Sequence, residues 1–423
     1  MSLPGPPRAA HRPALASLHV PLWSIVQAGV QMGVALLSAR WLGPGDRGTL
    51  VLATTVASLL LLVSSVGTGA ASRVVLAEPG RWWTWSRYLR LAAVLTVPHL
   101  VLAATVGVYL VTVLSGAGAG VRVAFVVYAV AALGAHLVRE GLHGLGRHRT
   151  SIVLDVVAAA AQLALVAAAH AAAVYSATTA LVIAAACYTG ALLTGAVIGW
   201  RADAHSRTVA PAVVTTREWW HRVGESLAFS RFALVAALGQ YYVVSGDRLV
   251  LGALGRSDQV GIYSVASTLA SLAVMAALAL TAPITRKTAE RGSLQAWERA
   301  HVPVLALTGA AAVGVAVGGW FAIPLLLGPE FDQARTLLPV FCAAAVPYAS
   351  CSIDAAASAG LRDLRTGAVA AVVGSVVMTA LATAGYAAWG THGVAIAVLV
   401  TYLVMACIAR VRLRRAATAL AAR

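Results

Sequence analysis

The sequence predicts an all-α polytopic membrane protein, with about 12 transmembrane helices in two six-helix bundles related by a parallel pseudo-two-fold repeat. Three observations predict this. Hydrophobic residues make up 60% of the 423 residues and charged residues 11%, whereas a soluble domain carries about 45–50% apolar and about 25% charged residues. Twelve apolar runs approach the roughly 20 residues that a helix needs to cross a bilayer core about 30 Å thick. A stretch of the first half recurs in the second at an offset of 213 residues. The mean hydropathy of +0.83 agrees. This composition excludes a soluble enzyme, a disordered chain and a disulfide scaffold.

The runs are delimited by charge and by helix-breaking residues. The first, 17–39, ends at Arg40. It lacks a small-x-small cleavage site and is read as a retained helix. The second, 49–71, follows Gly43-Pro44-Gly45 and stops before a basic, Trp-rich segment. The next four are 91–114, 120–138, 151–174 and 177–200. The seventh, 227–254, is the least regular, because Asp247 and Arg248 interrupt it. The last five are 261–283, 302–327, 337–358, 366–388 and 393–409. The long polar segment 201–226 divides the chain into an N-terminal bundle over 1–200 and a C-terminal bundle with a basic tail over 227–423.

Charge orients these helices. The net charge is +16. With both termini placed inside, 25 of the 31 basic residues fall on the inner side and six on the outer side. Short cytoplasmic loops carry the excess of Arg and Lys. Both termini and the linker 201–226 are therefore expected in the cytoplasm, and the basic balance needs no nucleic-acid partner. Trp82, Trp83, Trp85, Trp219 and Trp220 lie in inner basic loops, where amphipathic rings suit the headgroup layer. The dominance of Arg, with Lys287 the sole Lys, points to a GC-rich bacterial genome. The four Cys lie in apolar runs without metal or pairing spacing and read as packing residues. Gly195/Gly199 and Gly314/Gly318, each four apart, read as close helix contacts.

The repeat is local. Gly48 corresponds to Gly261, and Ala53–Leu59 faces Ala266–Leu272 with five of seven positions identical. Each half has an even number of spans, so both insert with the same orientation. The repeat axis then runs along the membrane normal. Two parallel bundles around a cleft are a transporter architecture.

Four stretches carry a family resemblance. They are Ala39–Gly48, Asp247–Gly252 with Val260–Ala266, Leu327–Phe331 with Leu337-Leu338-Pro339, and Gly390–Ala397. In order and spacing the chain resembles the polysaccharide biosynthesis transporters, O-antigen-type flippases of the multidrug/oligosaccharidyl-lipid/polysaccharide exporter superfamily. The resemblance spans nearly the whole chain. It implies translocation of a lipid-linked saccharide from the inner to the outer leaflet of the bacterial cytoplasmic membrane. The implied partners are that substrate, membrane lipids, and glycosyltransferases or a polymerase of the same pathway.

No Gly-rich phosphate loop precedes Lys287, and no helical two-His metal motif occurs, so neither a cofactor nor a metal is expected. The informative residues are polar groups within spans, which usually face protein or a wet cavity. Arg40, Arg73, Arg231 and Arg248 are candidates to hold a pyrophosphate, because the planar guanidinium fork matches phosphate oxygens. The plainer reading of Arg40, Arg73 and Arg231 is snorkelling to the interface, and that of Arg248 beside Asp247 is a helix-end contact with their neighbours. Gln27 and Gln31 in the first helix, with Gln240 and Tyr241 in the seventh, are candidates to meet sugar hydroxyls. Interhelical hydrogen bonding would account for them equally. Asp354, Asp247 and Asp155 are candidate ion-coupling carboxylates. Two other functions stay open. One is an ion-coupled drug or metabolite antiporter of the same fold, which favours an acidic cavity. The other is a membrane glycosyltransferase or polymerase, which calls for acidic residues in a large outer loop; here the outer loops are short.

The orientation has a direct test. A single Cys introduced at Arg207 should react with a membrane-impermeant maleimide only after the cells are permeabilised. Labelling in intact cells would reverse the assigned topology.

Overall fold

The structure, a computed structural model, describes residues 19–69, 83–206, 215–291, 293–361 and 365–421, together with Ser72, Leu76 and Asp363. In hydrocarbon every backbone N–H and C=O must be satisfied within its own segment, so long apolar runs become helices. Ten follow one another: α1 His19–Ser65, α2 Trp85–Ser115, α3 Ala119–Gly144, α4 His148–Ala171, α5 Ala177–Ser206, α6 Thr216–Leu254, α7 Ser257–Arg291, α8 Gln295–Leu327, α9 Asp332–Gly360 and α10 Arg365–Ala421. Among the described residues, nine helices are long and apolar enough to cross a membrane. The remaining one is α6, whose apolar run is broken by Gln240, Asp247 and Arg248. The protein is a multi-pass membrane protein of all-helical, two-lobed architecture.

Two of these helices are bent. In α1, Gly43 adopts φ +69°, a left-handed conformation that reverses the chain. Pro44 then opens the second rod, where its missing N–H costs nothing. In α10 the bend falls at Trp389 and Gly390, with φ +59° at the glycine. Dividing α1 and α10 at their bends yields twelve rods, in the order that the apolar runs predict. The loops expected at 40–48 and 389–392 are therefore sharp bends. Connections alternate between the two ends of the bundle. One end holds both bends and few basic residues, and is called here the Arg-poor end; the opposite end is Arg-rich.

The Arg-rich end corrects the reading of the tryptophans. Trp83, Trp85 and Trp219 are 5%, 0% and 6% exposed and form a packed cluster with Leu76, Tyr88 and Val223. The Trp85 indole N–H donates to the Ala196 carbonyl at 3.0 Å, and its backbone N–H donates to Asp203 at 3.1 Å. Trp220 is exposed, and Trp82 lies outside the described residues. These rings are core residues because the start of α6 contributes Trp219 and Val223 to a buried cluster with Trp85, Tyr88 and Leu91 of α2. That start is set by Thr215, whose hydroxyl accepts from the Glu218 N–H at 3.2 Å. Gly195 and Gly199 admit Val138 and Trp85, as close contacts require. Gly314 and Gly318 have open space where a Cβ would stand, so that pair marks no tight helix crossing.

Helices α1–α5 pack into one lobe and α6–α10 into the other, and the lobes meet mainly along α1 and α7. At the Arg-poor end this contact is backbone against backbone. A Cβ on Gly48 would overlap the Ser257 carbonyl, and one on Gly261 would overlap the Pro44 carbonyl. These residues pair at the repeat offset: 44 with 257, and 48 with 261. The contact thus obeys a two-fold rule, in which residue i meets j and j meets i. Any side chain at either glycine must push the lobes apart.

Spin labels at exposed Gly118 and Asp332, one per lobe at this end, should report it. Gly48→Val and Gly261→Val should each lengthen the label distance and broaden its distribution. Gly33→Val, at a glycine with open space around it, should not. An unchanged distance in both of the first two variants would overturn the contact.

Candidate functional site

Two chambers lie beside α1. The first, about 270 Å³, sits where the lobes face each other. Gln31 and Arg47 reach it from α1, Arg248 from α6, Tyr128 from α3 and Tyr188 from α5. Arg47 is positioned by its neighbours. Gly48 is locked in the lobe contact, and Asp46 accepts from the Ala177 N–H at 3.4 Å, fixing the bend of α1 to the start of α5. Arg47 is only 8% exposed, its Nε has no hydrogen-bond partner, and no carboxylate pairs with it among the described residues. Arg248 donates from Nη2 to the Ser267 hydroxyl at 3.1 Å, while its buried Nε is also unpartnered. The carboxylate of Asp247 is occupied elsewhere, accepting from the Tyr263 hydroxyl and from the Arg248 backbone N–H, both at 2.8 Å. Arg47, buried and without an acid partner among the described residues, and Arg248, half-buried beside Asp247, therefore border one chamber. A smaller cavity of about 160 Å³ adjoins it on the α6–α10 side, lined by Asp247, Arg248, Ser267, Tyr348 and Tyr402.

The second chamber, about 230 Å³, lies toward the Arg-rich end of the α1–α5 lobe. Its wall includes Ser58, Tyr128, His136, Tyr188 and Tyr241. Its charges are balanced: Arg139 on α3 bonds Asp155 on α4 at 3.3 Å. Gln27 lies near Asp155. Tyr128 and Tyr188, with ring centroids 5.8 Å apart, belong to the walls of both chambers.

The remaining candidates from the sequence are placed as follows. Arg40 is exposed at the Arg-poor end and donates to the Leu326 carbonyl. Gln240 donates to the Tyr348 hydroxyl at 3.0 Å, inside the α6–α10 lobe. Arg73 and the side chain of Arg231 lie outside the described residues. Asp354 is fully buried at the Arg-rich end of that lobe. It accepts from Arg410 Nε and from the Trp297 indole N–H, both at 2.8 Å. The Arg410 guanidinium lies over the Trp297 ring, 5.0 Å from its centroid, and also contacts His301 and Ser350. This network ties α8, α9 and α10 together.

Sequence reasoning missed Arg47, Arg139 and the tyrosine pair. Arg47 reads as an ordinary loop residue, yet a signal was present: Gly-Asp-Arg occurs twice, at 45–47 and 246–248, and both Arg residues border the first chamber. Among the described residues, no group of three or more His, Cys, Asp or Glu side chains is placed to hold a metal ion.

No protein-family model and no curated protein matches the chain. Solved structures do. A multidrug resistance MATE family transporter of the MOP superfamily, in its inward-facing conformation, aligns with TM-score 0.60 at 15% identity, over 97% of this chain and 99% of that one. The lipid II flippase MurJ, in an inward closed conformation, aligns with TM-score 0.67 at 12% identity, over 93% of this chain and 87% of that one. An outward-facing MATE transporter aligns with TM-score 0.58 at 14% identity, over 96% of each chain. At these identities the likeness establishes the fold.

The Asp354 network predicts a stability effect. Removing one partner of a buried ion pair costs about 3–5 kcal/mol, because the other charge stays buried and uncompensated. Arg410→Ala should therefore lower the unfolding temperature in detergent markedly, and the double variant with Asp354→Ala should recover part of the loss. Melting of Arg410→Ala at the wild-type temperature would refute the structural role.

Proposed function

We propose that the protein is a membrane transporter of the flippase type, moving an anionic lipid-linked saccharide across the bacterial cytoplasmic membrane by alternating access between its two lobes. The observation that carries this reading is the buried, unpaired Arg47 at the lobe interface, with a second guanidinium, Arg248, on the same chamber. Burying a cation without a partner is costly, so buried charges are normally paired. An anionic occupant of the chamber accounts for Arg47 and is reached by Arg248 as well. A pyrophosphate offers several acceptor oxygens, and the guanidinium fork fits them bidentately. The fold shared with MurJ, a lipid II flippase, and with MATE transporters supports a rocking two-lobe mechanism. The resemblance of motifs noted in the sequence supports a polysaccharide precursor as cargo. The termini face the cytoplasm in this reading, as the skew of basic residues requires. A drug antiporter of the same fold would be expected to place acid, rather than Arg, at the interface to receive a cationic drug.

The roles of the two Arg residues are separable by substitution. Each charge-assisted contact contributes about 1.5–3 kcal/mol, so Arg47→Ala or Arg248→Ala should weaken binding of a polyprenyl pyrophosphate by roughly 10- to 150-fold. Lys at either position keeps the charge and loses the fork, so it should restore only part of the affinity. Wild-type affinity in both Ala variants, at matched folding, would exclude the clamp.

A further inference from the structure

The second chamber is not explained by holding a pyrophosphate. Its two charges cancel, since Arg139 and Asp155 form a 3.3 Å pair, and a dianion gains little from a neutralised cation. What the chamber offers is a different chemistry. Arg139 keeps a side-chain exposure of 39% and Asp155 one of 23%, so the pair presents both spare N–H donors and spare carboxylate lone pairs to the space. Around it stand Tyr241, Ser58, whose hydroxyl donates to the Thr54 carbonyl at 2.9 Å, and His136, whose Nδ1 lies 3.2 Å from Arg139 Nη2. The rings of Tyr128 and Tyr188 form the boundary with the Arg47 chamber.

Such a wall complements a neutral pyranose. A sugar carries vicinal hydroxyls, each both donor and acceptor. A carboxylate beside a guanidinium can accept from one hydroxyl and donate to the next oxygen. A sugar ring also has an apolar C–H face, and tyrosine provides an apolar ring with a polar tip to lie against it. The wall of Tyr128 and Tyr188 that the two chambers share then sets an orientation. With pyrophosphate at Arg47 and Arg248, the attached saccharide passes the tyrosine rings and extends toward the Arg-rich end.

We infer that the chamber formed by Arg139, Asp155, Tyr128, Tyr188 and Tyr241 is a subsite for the first, uncharged sugar of the cargo. This rests on the reading of the Arg47 chamber as the pyrophosphate site. It assigns saccharide recognition to α3, α4 and α5, with Tyr241 the contribution of α6.

The test measures binding to the purified full-length protein in nanodiscs with three probes. They are a polyprenyl pyrophosphate, the same lipid bearing one neutral N-acetylhexosamine, and the same lipid bearing one uronic acid. The neutral sugar should tighten binding over the bare lipid, and more than the uronic acid does. The charge-neutral double variant Arg139→Gln/Asp155→Asn replaces two charge-assisted hydrogen bonds by weaker neutral ones, so it should weaken the neutral-sugar probe about 5- to 10-fold. Its affinity for the bare lipid should stay within about twofold of wild type, since the bare lipid does not reach this chamber in the assigned orientation. Tyr241→Phe, which removes one hydroxyl and leaves the ion pair intact, should show the same selectivity in smaller measure and guards against a folding defect in the double variant. Equal binding of the three probes by the wild type, equal weakening of all three by both variants, or tightest binding of the uronic acid would each overturn the subsite. Arg47→Ala separates the two readings: unaltered affinity for the bare lipid would defeat the pyrophosphate site, while the sugar increment would still report on this chamber.

Discussion

The contact of Gly48 with Ser257 and of Gly261 with Pro44 decides how the rest of the molecule is arranged. It brings two backbones together where any Cβ would collide. It lies at the Arg-poor end and obeys the two-fold relation of the repeat, so each lobe contributes the same piece of structure. Arg47 is the residue immediately before Gly48. Closing the glycine contact therefore carries a guanidinium to the lobe interface, where Arg248 arrives from the other lobe. Separating the lobes at this end would move both cations apart and let the chamber open. Lobe geometry and the placing of the two guanidinium groups are thus linked through two adjacent residues, which is the coupling that the proposed alternating access would need.

The charged residues within the helices fall into two electrostatic classes. Asp354 with Arg410, and Asp155 with Arg139, are neutralised by partners on neighbouring helices. A paired charge can tie helices together or offer hydrogen bonds without demanding a counter-ion. Arg47 has no such partner among the described residues, while half-buried Arg248 donates to Ser267 beside Asp247. The desolvation of Arg47 is uncompensated within the protein, and an anionic ligand would relieve it. In the proposed reading, the cations at the interface and the balanced pair further into one lobe would share the recognition of a charged, glycosylated lipid between two adjoining spaces.

Much of the fold is legible without coordinates. Apolar runs of spanning length must become helices, because lipid leaves no other way to satisfy the backbone. Their order, the breaks at Gly43 and Gly390, the skew of basic residues and the repeat pairing Gly48 with Gly261 are all written in composition and spacing. The sequence also marks Arg248, Gln31, Tyr241 and Asp155 as polar residues within spans, and these do line the two chambers. What it does not determine is which polar residue is neutralised by which, since the partners lie far apart along the chain: Asp354 meets Arg410 across 56 positions, and Arg47 meets Arg248 across the lobe boundary. Trp85 and Trp219 resemble interfacial residues until the start of α6, which carries Trp219, packs into the cluster around Trp85. The helices follow from local hydrophobicity, which is a property of the chain; the site follows from partnerships among distant charges and from a backbone contact between lobes, which only tertiary packing decides.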